Sequence, residues 1–342
     1  MAAASRASGV PAMSGVPWAG AGAVARTTGR VFFTMGGTGY ACSGSAVASQ
    51  NQDVVMTAAH CVSDGAGHWA THWTFVPGYT DGREPYGSYP AQTYYVPARW
   101  SAGADEDDDV AFVVVGTALA STGHGQKVGA AVGGQPIEFG WRAPAAAVFG
   151  YPSEPPYTGQ GLDYCAGTLQ PDPFGTGDEG IACAMTEGGS GGPWLSDFDP
   201  RTGLGVITGV TTFRYSGHDR ILYSADLGPV AQALYERASS SLLESRDLAG
   251  QGEVEGGQAA RGVGAERQRH LVPGDRDVGM VAGGLGQVGD GADVQQRVAE
   301  IFARGHRGDR VAVAGPGRDG GQFGGDLGLG EKFHGSGIPF PG

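Results

Sequence analysis

A chain of 342 residues with 40% hydrophobic content is long enough for two small domains or one large one. It contains 64 glycines, where the usual share of about 7% would give about 24. A formal net charge of −13 argues against a nucleic-acid partner, since phosphate backbones are held by clustered Lys and Arg. No uninterrupted apolar run approaches the roughly 18 residues of a membrane span. Val110 to Ala120 comes nearest and is broken by Gly116 and Thr117, so no membrane partner is expected.

The opening residues, MAAASRASGVPAMSG, are small and lack the apolar core of about 7 to 15 residues that a secretory signal carries. Residues 1–26 are set apart as an N-terminal segment, read as a pro-segment remnant or a misplaced start. Short runs rich in β-branched and aromatic residues then recur between turn residues. They are VFFT at 31–34, DVVMTAA at 53–59, TFVPGY at 74–79, TYYVP at 93–97, DVAFVVV at 109–115, AVFGYP at 147–152, GVITGVTTFRY at 205–215 and RILYSAD at 220–226. This spacing predicts an all-β sandwich or barrel. One segment, PVAQALYERAS at 229–239, predicts a helix, with Pro229 in its first turn and Val230, Leu234 and Tyr235 near one face.

Beyond Ser240 about a quarter of the residues are glycine, and Cys, Trp and Tyr vanish. Such a composition buries too little surface to offset chain entropy, so residues 241–342 are expected to be disordered. A transient amphipathic helix is expected at 292–305, ADVQQRVAEIFARG. The tail has the texture of a read-through or frame-shifted product.

The four cysteines, Cys42, Cys61, Cys165 and Cys183, include no Cys-x-x-Cys pair. An even number without that motif predicts two disulfides and an oxidising compartment. The competing reading is zinc, with His68 and His72 of HWATH as further ligands, but the cysteine spacings match no common zinc pattern. No metal and no cofactor are expected.

Three stretches carry chemistry. TAAHC at 57–61 sets His60 at the end of an apolar run, behind alanines small enough to let another side chain approach. An isolated histidine there would be a satisfied core residue. DEDDDVAFVVV at 105–115 runs an acidic cluster into a buried strand. Asp105, Glu106 and Asp107 read as a solvated face, whereas Asp109 abuts the strand and can be drawn under an imidazole to fix its tautomer. Asp108 is the alternative in the neighbouring register. TEGGSGGPW at 186–194 surrounds Ser190 with glycines. Alone it could be a hairpin turn or a linker, but Pro193, Trp194 and Leu195 follow at once. A serine needs a base and preorganised donors for the oxyanion, and glycines let the chain curl until the amides of Gly188 and Ser190 converge.

CSGSAVAS, TAAHC, DVAFVVV and GGSGGP, in the order His, Asp, Ser, resemble the chymotrypsin-like (trypsin-like) serine proteases across roughly residues 27–238. The resemblance is strongest to secreted bacterial members, including the glutamyl endopeptidase branch, through TGRVFFT, FVPGY and Thr186. It implies two packed six-stranded β-barrels, at 27–135 and 136–240, the second including the helix. It further implies a triad of His60, Asp109 and Ser190 in the cleft, an oxyanion hole of Gly188 and Ser190, and disulfides Cys42–Cys61 and Cys165–Cys183. The implied function is that of a secreted, monomeric serine endopeptidase acting on protein or peptide through an acyl-enzyme. A catalytically silent protease-like binding protein and a serine esterase are the alternatives.

Three positions depart from the family's pattern. Gly189 stands where an Asp usually precedes the nucleophile, which removes the salt bridge that a newly formed N-terminus would make. Ala184 replaces the trypsin-type Asp of the specificity pocket. Thr211 stands where glutamyl endopeptidases carry a histidine, and the resemblance implies that Glu187 lies at the pocket mouth. Neither a Lys/Arg nor a Glu preference is therefore implied.

Overall fold

The computed structural model describes residues 15–119, 125–141, 143–215 and 220–250, together with Val278–Val281 and Lys332–His334. Twelve strands form the body. The first six are β1 (Thr28–Met35), β2 (Thr38–Ala46), β3 (Val54–Thr57), β4 (Thr71–Pro77), β5 (Tyr89–Pro97) and β6 (Ala111–Val115). The second six are β7 (Ala145–Gly150), β8 (Asp163–Pro171), β9 (Glu179–Ala182), β10 (Pro193–Asp199), β11 (Leu204–Tyr215) and β12 (Ile221–Ser224).

Each set closes on itself as an antiparallel barrel. The first runs around β1-β2-β3-β6-β5-β4 and the second around β7-β8-β9-β12-β11-β10, the same circuit used twice. Closure leaves none of the twelve as a bare sheet edge.

The alternation of side chains along a strand explains why VVMT and AFVVV are apolar without interruption. Val55, Ala111, Val113 and Val115 point into the first barrel. Their neighbours Val54, Met56, Phe112 and Val114 point outward, into a second core shared with Phe149, Leu195 and Ile207 of the other barrel and with Leu234 and Ala238 of the C-terminal helix. Both faces are therefore dry. The second barrel's own core contains Val148, Ile181, Met185, Trp194 and Leu222 around the Cys165–Cys183 disulfide.

The chain ends cross over. Val16–Pro17 pairs with Asp163 and Tyr164 on β8, and Trp18 packs edge-on against Phe149, Tyr164 and Phe198, all of the second barrel. Only then does the chain enter β1. The C-terminal helix, which follows the second barrel, returns to the first: Asn51 Nδ2 donates to the Ala238 carbonyl at 2.7 Å and the Gln50 N–H to Ser239 Oγ at 2.9 Å.

That helix spans Pro229–Gly250, eleven residues beyond the end expected from its apolar face. The extension, SSLLESRDLAG, contains no proline and no glycine before Gly250, so nothing in it stops the backbone ladder. Most of the tail predicted to be disordered, and the helix expected at 292–305, lie outside the described residues. Within it Val278–Val281 pairs with β5 and Lys332–His334 with β11. Among the described residues no helix is long and apolar enough to cross a membrane.

Candidate active site

His60 lies in a single 3-10 turn, Ala59–Cys61, directly after β3. Cys61 is bonded to Cys42 on β2, so the turn is tied to the neighbouring strand. Asp109 follows a second 3-10 turn, Glu106–Asp108, and its side chain is fully buried. One carboxylate oxygen accepts the backbone N–H of His60 at 2.8 Å, and the other lies 2.7 Å from His60 Nδ1. A buried carboxylate is an acceptor, which assigns the proton to Nδ1 and leaves Nε2 as the basic nitrogen.

Of the acidic cluster, Asp109 is the carboxylate that meets His60. Asp108 instead faces Arg99, with 3.7 Å between Oδ2 and Nε. Asp105, expected among solvated residues, caps the turn by accepting the Asp107 N–H and pairs with Arg99 at 2.6 Å.

Ser190 is 5% exposed, at the end of the loop leading from β9 to β10. Its carbonyl accepts the N–H of Ser43 at 2.7 Å and lies 3.9 Å from Cys61 Sγ, so the serine sits against the disulfide that ties down the histidine turn. The glycines are there for contact. Gly191 has φ +82°, and a Cβ on it would meet the Ser43 carbonyl oxygen at 2.3 Å and Thr57 Oγ1 at 2.2 Å. Gly188 has φ +90°, with Ser153 Oγ and the Tyr151 carbonyl where its Cβ would stand. The Glu187 carbonyl accepts the Ser153 N–H at 2.7 Å, and in a trans peptide that turns the Gly188 N–H the opposite way. The Gly189 carbonyl accepts the Gly192 N–H at 3.0 Å, which turns the Ser190 N–H likewise.

Beside Ser190 is an open pocket of about 250 Å³, its solvent-facing part included. Of the residues assigned to a specificity pocket, Thr186, Glu187 and Thr211 line it and Ala184 does not. The Thr211 hydroxyl accepts the Trp194 indole N–H at 3.0 Å, which accounts for the tryptophan directly after the loop. Sequence reasoning missed Arg214, which lines the pocket and whose guanidinium donates to the Met185 carbonyl. Its signal was present in TTFR, as the strand residue three beyond Thr211. Burial, and then repulsion from Glu154, pushes the Glu187 carboxyl above its usual range, with Arg214 and His60 pulling the other way.

Both expected disulfides form, Cys42–Cys61 and Cys165–Cys183, so all four sulfurs are consumed. The two histidines weighed as metal ligands lie apart from them. His68 Nδ1 is 2.5 Å from Asp64 Oδ2 at the surface, and His72 is the second residue of β4.

Neither a family model nor a curated protein matches the chain. Solved structures do. The protease Anisep from Arthrobacter nicotinovorans is 34% identical at a TM-score of 0.59, and the match covers 98% of that protein and 65% of this one. The chain belongs to the chymotrypsin-like serine proteases. A thermostable serine protease, AL20, from an extremophilic microorganism is likewise 34% identical, with a TM-score of 0.59 over 99% of its length and 64% of this chain. A Glu endopeptidase shares the fold at 19% identity, with a TM-score of 0.52 over 93% of its length and 64% of this chain. The protease's two barrels and their cleft are thus those of bacterial serine hydrolases.

Proposed function

We propose that this protease cleaves peptide bonds by acyl transfer through Ser190, His60 and Asp109. Ser190 Oγ attacks the carbonyl carbon of the substrate while His60 Nε2 accepts the hydroxyl proton. Asp109 holds the Nδ1–H tautomer and stabilises the imidazolium that forms. The N–H groups of Gly188 and Ser190 receive the oxyanion. His60 then protonates the leaving amine, the C–N bond breaks, and a water activated in the same way releases the acyl group from Ser190.

The observation that carries this reading is the buried Asp109 carboxylate, engaged with both the backbone and the ring of His60 at 2.8 and 2.7 Å. A buried charge is costly unless it is fully hydrogen-bonded, so its position beneath one imidazole calls for a function. Two disulfides support an extracellular site of action. The net negative charge supports a protein or peptide substrate over nucleic acid. We take the protease to act as a monomer, away from membranes. Its pocket carries both signs of charge, Glu187 and Arg214, and so imposes neither a purely basic nor a purely acidic preference.

The test is labelling by a fluorophosphonate, with Ser190→Ala as control, followed by turnover of peptide and ester substrates. Labelling confined to the parent protein, with peptide turnover, is expected. Folded, oxidised protein that takes no label would point to a binding role, and ester turnover without peptide turnover to an esterase.

A further inference from the structure

Ser43 is fully buried on β2, next to Cys42, and spends every polar group it has on the cleft. Its N–H donates to the Ser190 carbonyl at 2.7 Å, and its own carbonyl accepts the hydroxyl of Thr57, at the end of the strand that leads to His60, at 2.8 Å. Its hydroxyl accepts the N–H of Tyr151 at 2.8 Å and lies 2.8 Å from the carbonyl of Gly188. A backbone N–H can only donate, and a carbonyl can only accept. The hydroxyl proton is therefore directed at Gly188, with no freedom to rotate away.

The Gly188 loop is held at two successive carbonyls. Ser153 N–H fixes that of Glu187 and Ser43 Oγ that of Gly188. Between them these bonds define the orientation of both peptides flanking Gly188, a residue whose φ of +90° makes its peptide planes easy to turn. The family's charged route to the same end is unavailable, because Gly189 occupies the position of the aspartate.

We propose that Ser43 is a positioning residue for the oxyanion site. Its hydroxyl locks the Gly188–Gly189 peptide from the opposite barrel, so that the donor loop is set without a salt bridge. This rests on the assignment of Ser190 as nucleophile, and the test separates the two.

Ser43→Ala keeps both backbone bonds and removes both hydroxyl bonds. The expected result is a fall in kcat of about 10- to 100-fold, below the effect of deleting an oxyanion donor outright, with KM changed less than about threefold. Affinity for a peptide boronate, which forms a tetrahedral adduct, should fall in step with kcat/KM. Ser43→Thr, which restores the hydroxyl, should recover most of the rate. Unchanged kcat in Ser43→Ala, or a lower melting temperature with kcat intact at 25 °C, would overturn the proposal. Should the alanine variant not fold, Ser43→Gly and Ser43→Thr give the same comparison, and equal kcat in the two overturns it. Absence of fluorophosphonate labelling in the parent protein refutes the nucleophile assignment, whereas labelling of parent and Ser43→Ala at one rate refutes the role of Ser43 alone.

Discussion

Gly191→Ala probes the point at which the serine loop enters the other barrel. The added Cβ would lie 2.3 Å from the Ser43 carbonyl oxygen, about 1 Å inside ordinary contact, and the residue would hold φ +82°. Positive φ costs a non-glycine residue about 1–2 kcal/mol, and forcing apart a packed backbone contact costs about 1–3 kcal/mol more. The sum, about 2–5 kcal/mol, is a large part of a typical domain's stability of about 5–15 kcal/mol. With a urea slope near 2.5 kcal/mol/M it moves the unfolding midpoint down by about 1–2 M. Ser190 adjoins the displaced peptide, and a misplacement of about 1 Å can cost about 100-fold in kcat/KM. Gly82→Ala separates the two costs, since Gly82 also has positive φ, +75°, with nothing within 4 Å of the added Cβ. It should lose about 1 kcal/mol and no activity. A Gly191→Ala variant with its midpoint within about 0.3 M of the parent and kcat/KM within threefold would refute the reasoning, whose scale is set by those costs.

Asp109→Asn should lower turnover by about four orders of magnitude with little loss of fold, because an amide beneath Nδ1 favours the wrong tautomer; single-turnover kinetics that show less than a tenfold loss would contradict the assignment. Asp163 is buried, and desolvation pushes its carboxyl up to about 6 from 3.8. The folded state thus holds this proton more tightly than the unfolded chain, so its contribution is full below about pH 4 and is lost as pH rises through about 6. Asp163→Asn should therefore stabilise the protease by about 1–3 kcal/mol at pH 8 and by nothing near pH 3.5, read as the difference in melting temperature between the two variants across pH. Removing the Cys165–Cys183 bridge by paired Cys→Ala changes opens a loop whose ends are 18 residues apart. Chain entropy alone then predicts a loss of about 3 kcal/mol, which urea unfolding would measure.

The three residues proposed as the triad stood out because each sits in a short local pattern. His60 follows small residues at the end of a strand, Asp109 abuts an apolar run, and Ser190 is surrounded by glycines that a linker would not follow with Pro193 and Trp194. The strands were legible for a similar reason, and β3 and β6 betrayed their two buried faces through unbroken hydrophobicity. Ser43 and Arg214 were not. Their roles depend on partners brought near by the closing of two barrels, Gly188 lying 145 residues along the chain from Ser43. The crossing of the N-terminal segment onto the second barrel was hidden in the same way. Trp18 was its one conspicuous residue, standing in a stretch otherwise read as a processing remnant.

That crossing bears on how wide the cleft can open. Each barrel wears a piece of chain whose covalent neighbour lies in the other, Trp18 on the second and the C-terminal helix on the first. Moving the barrels apart would pull on the Trp18 packing and on the Asn51–Ala238 and Gln50–Ser239 bonds, so the width of the groove that holds the serine and the histidine is coupled to both chain ends.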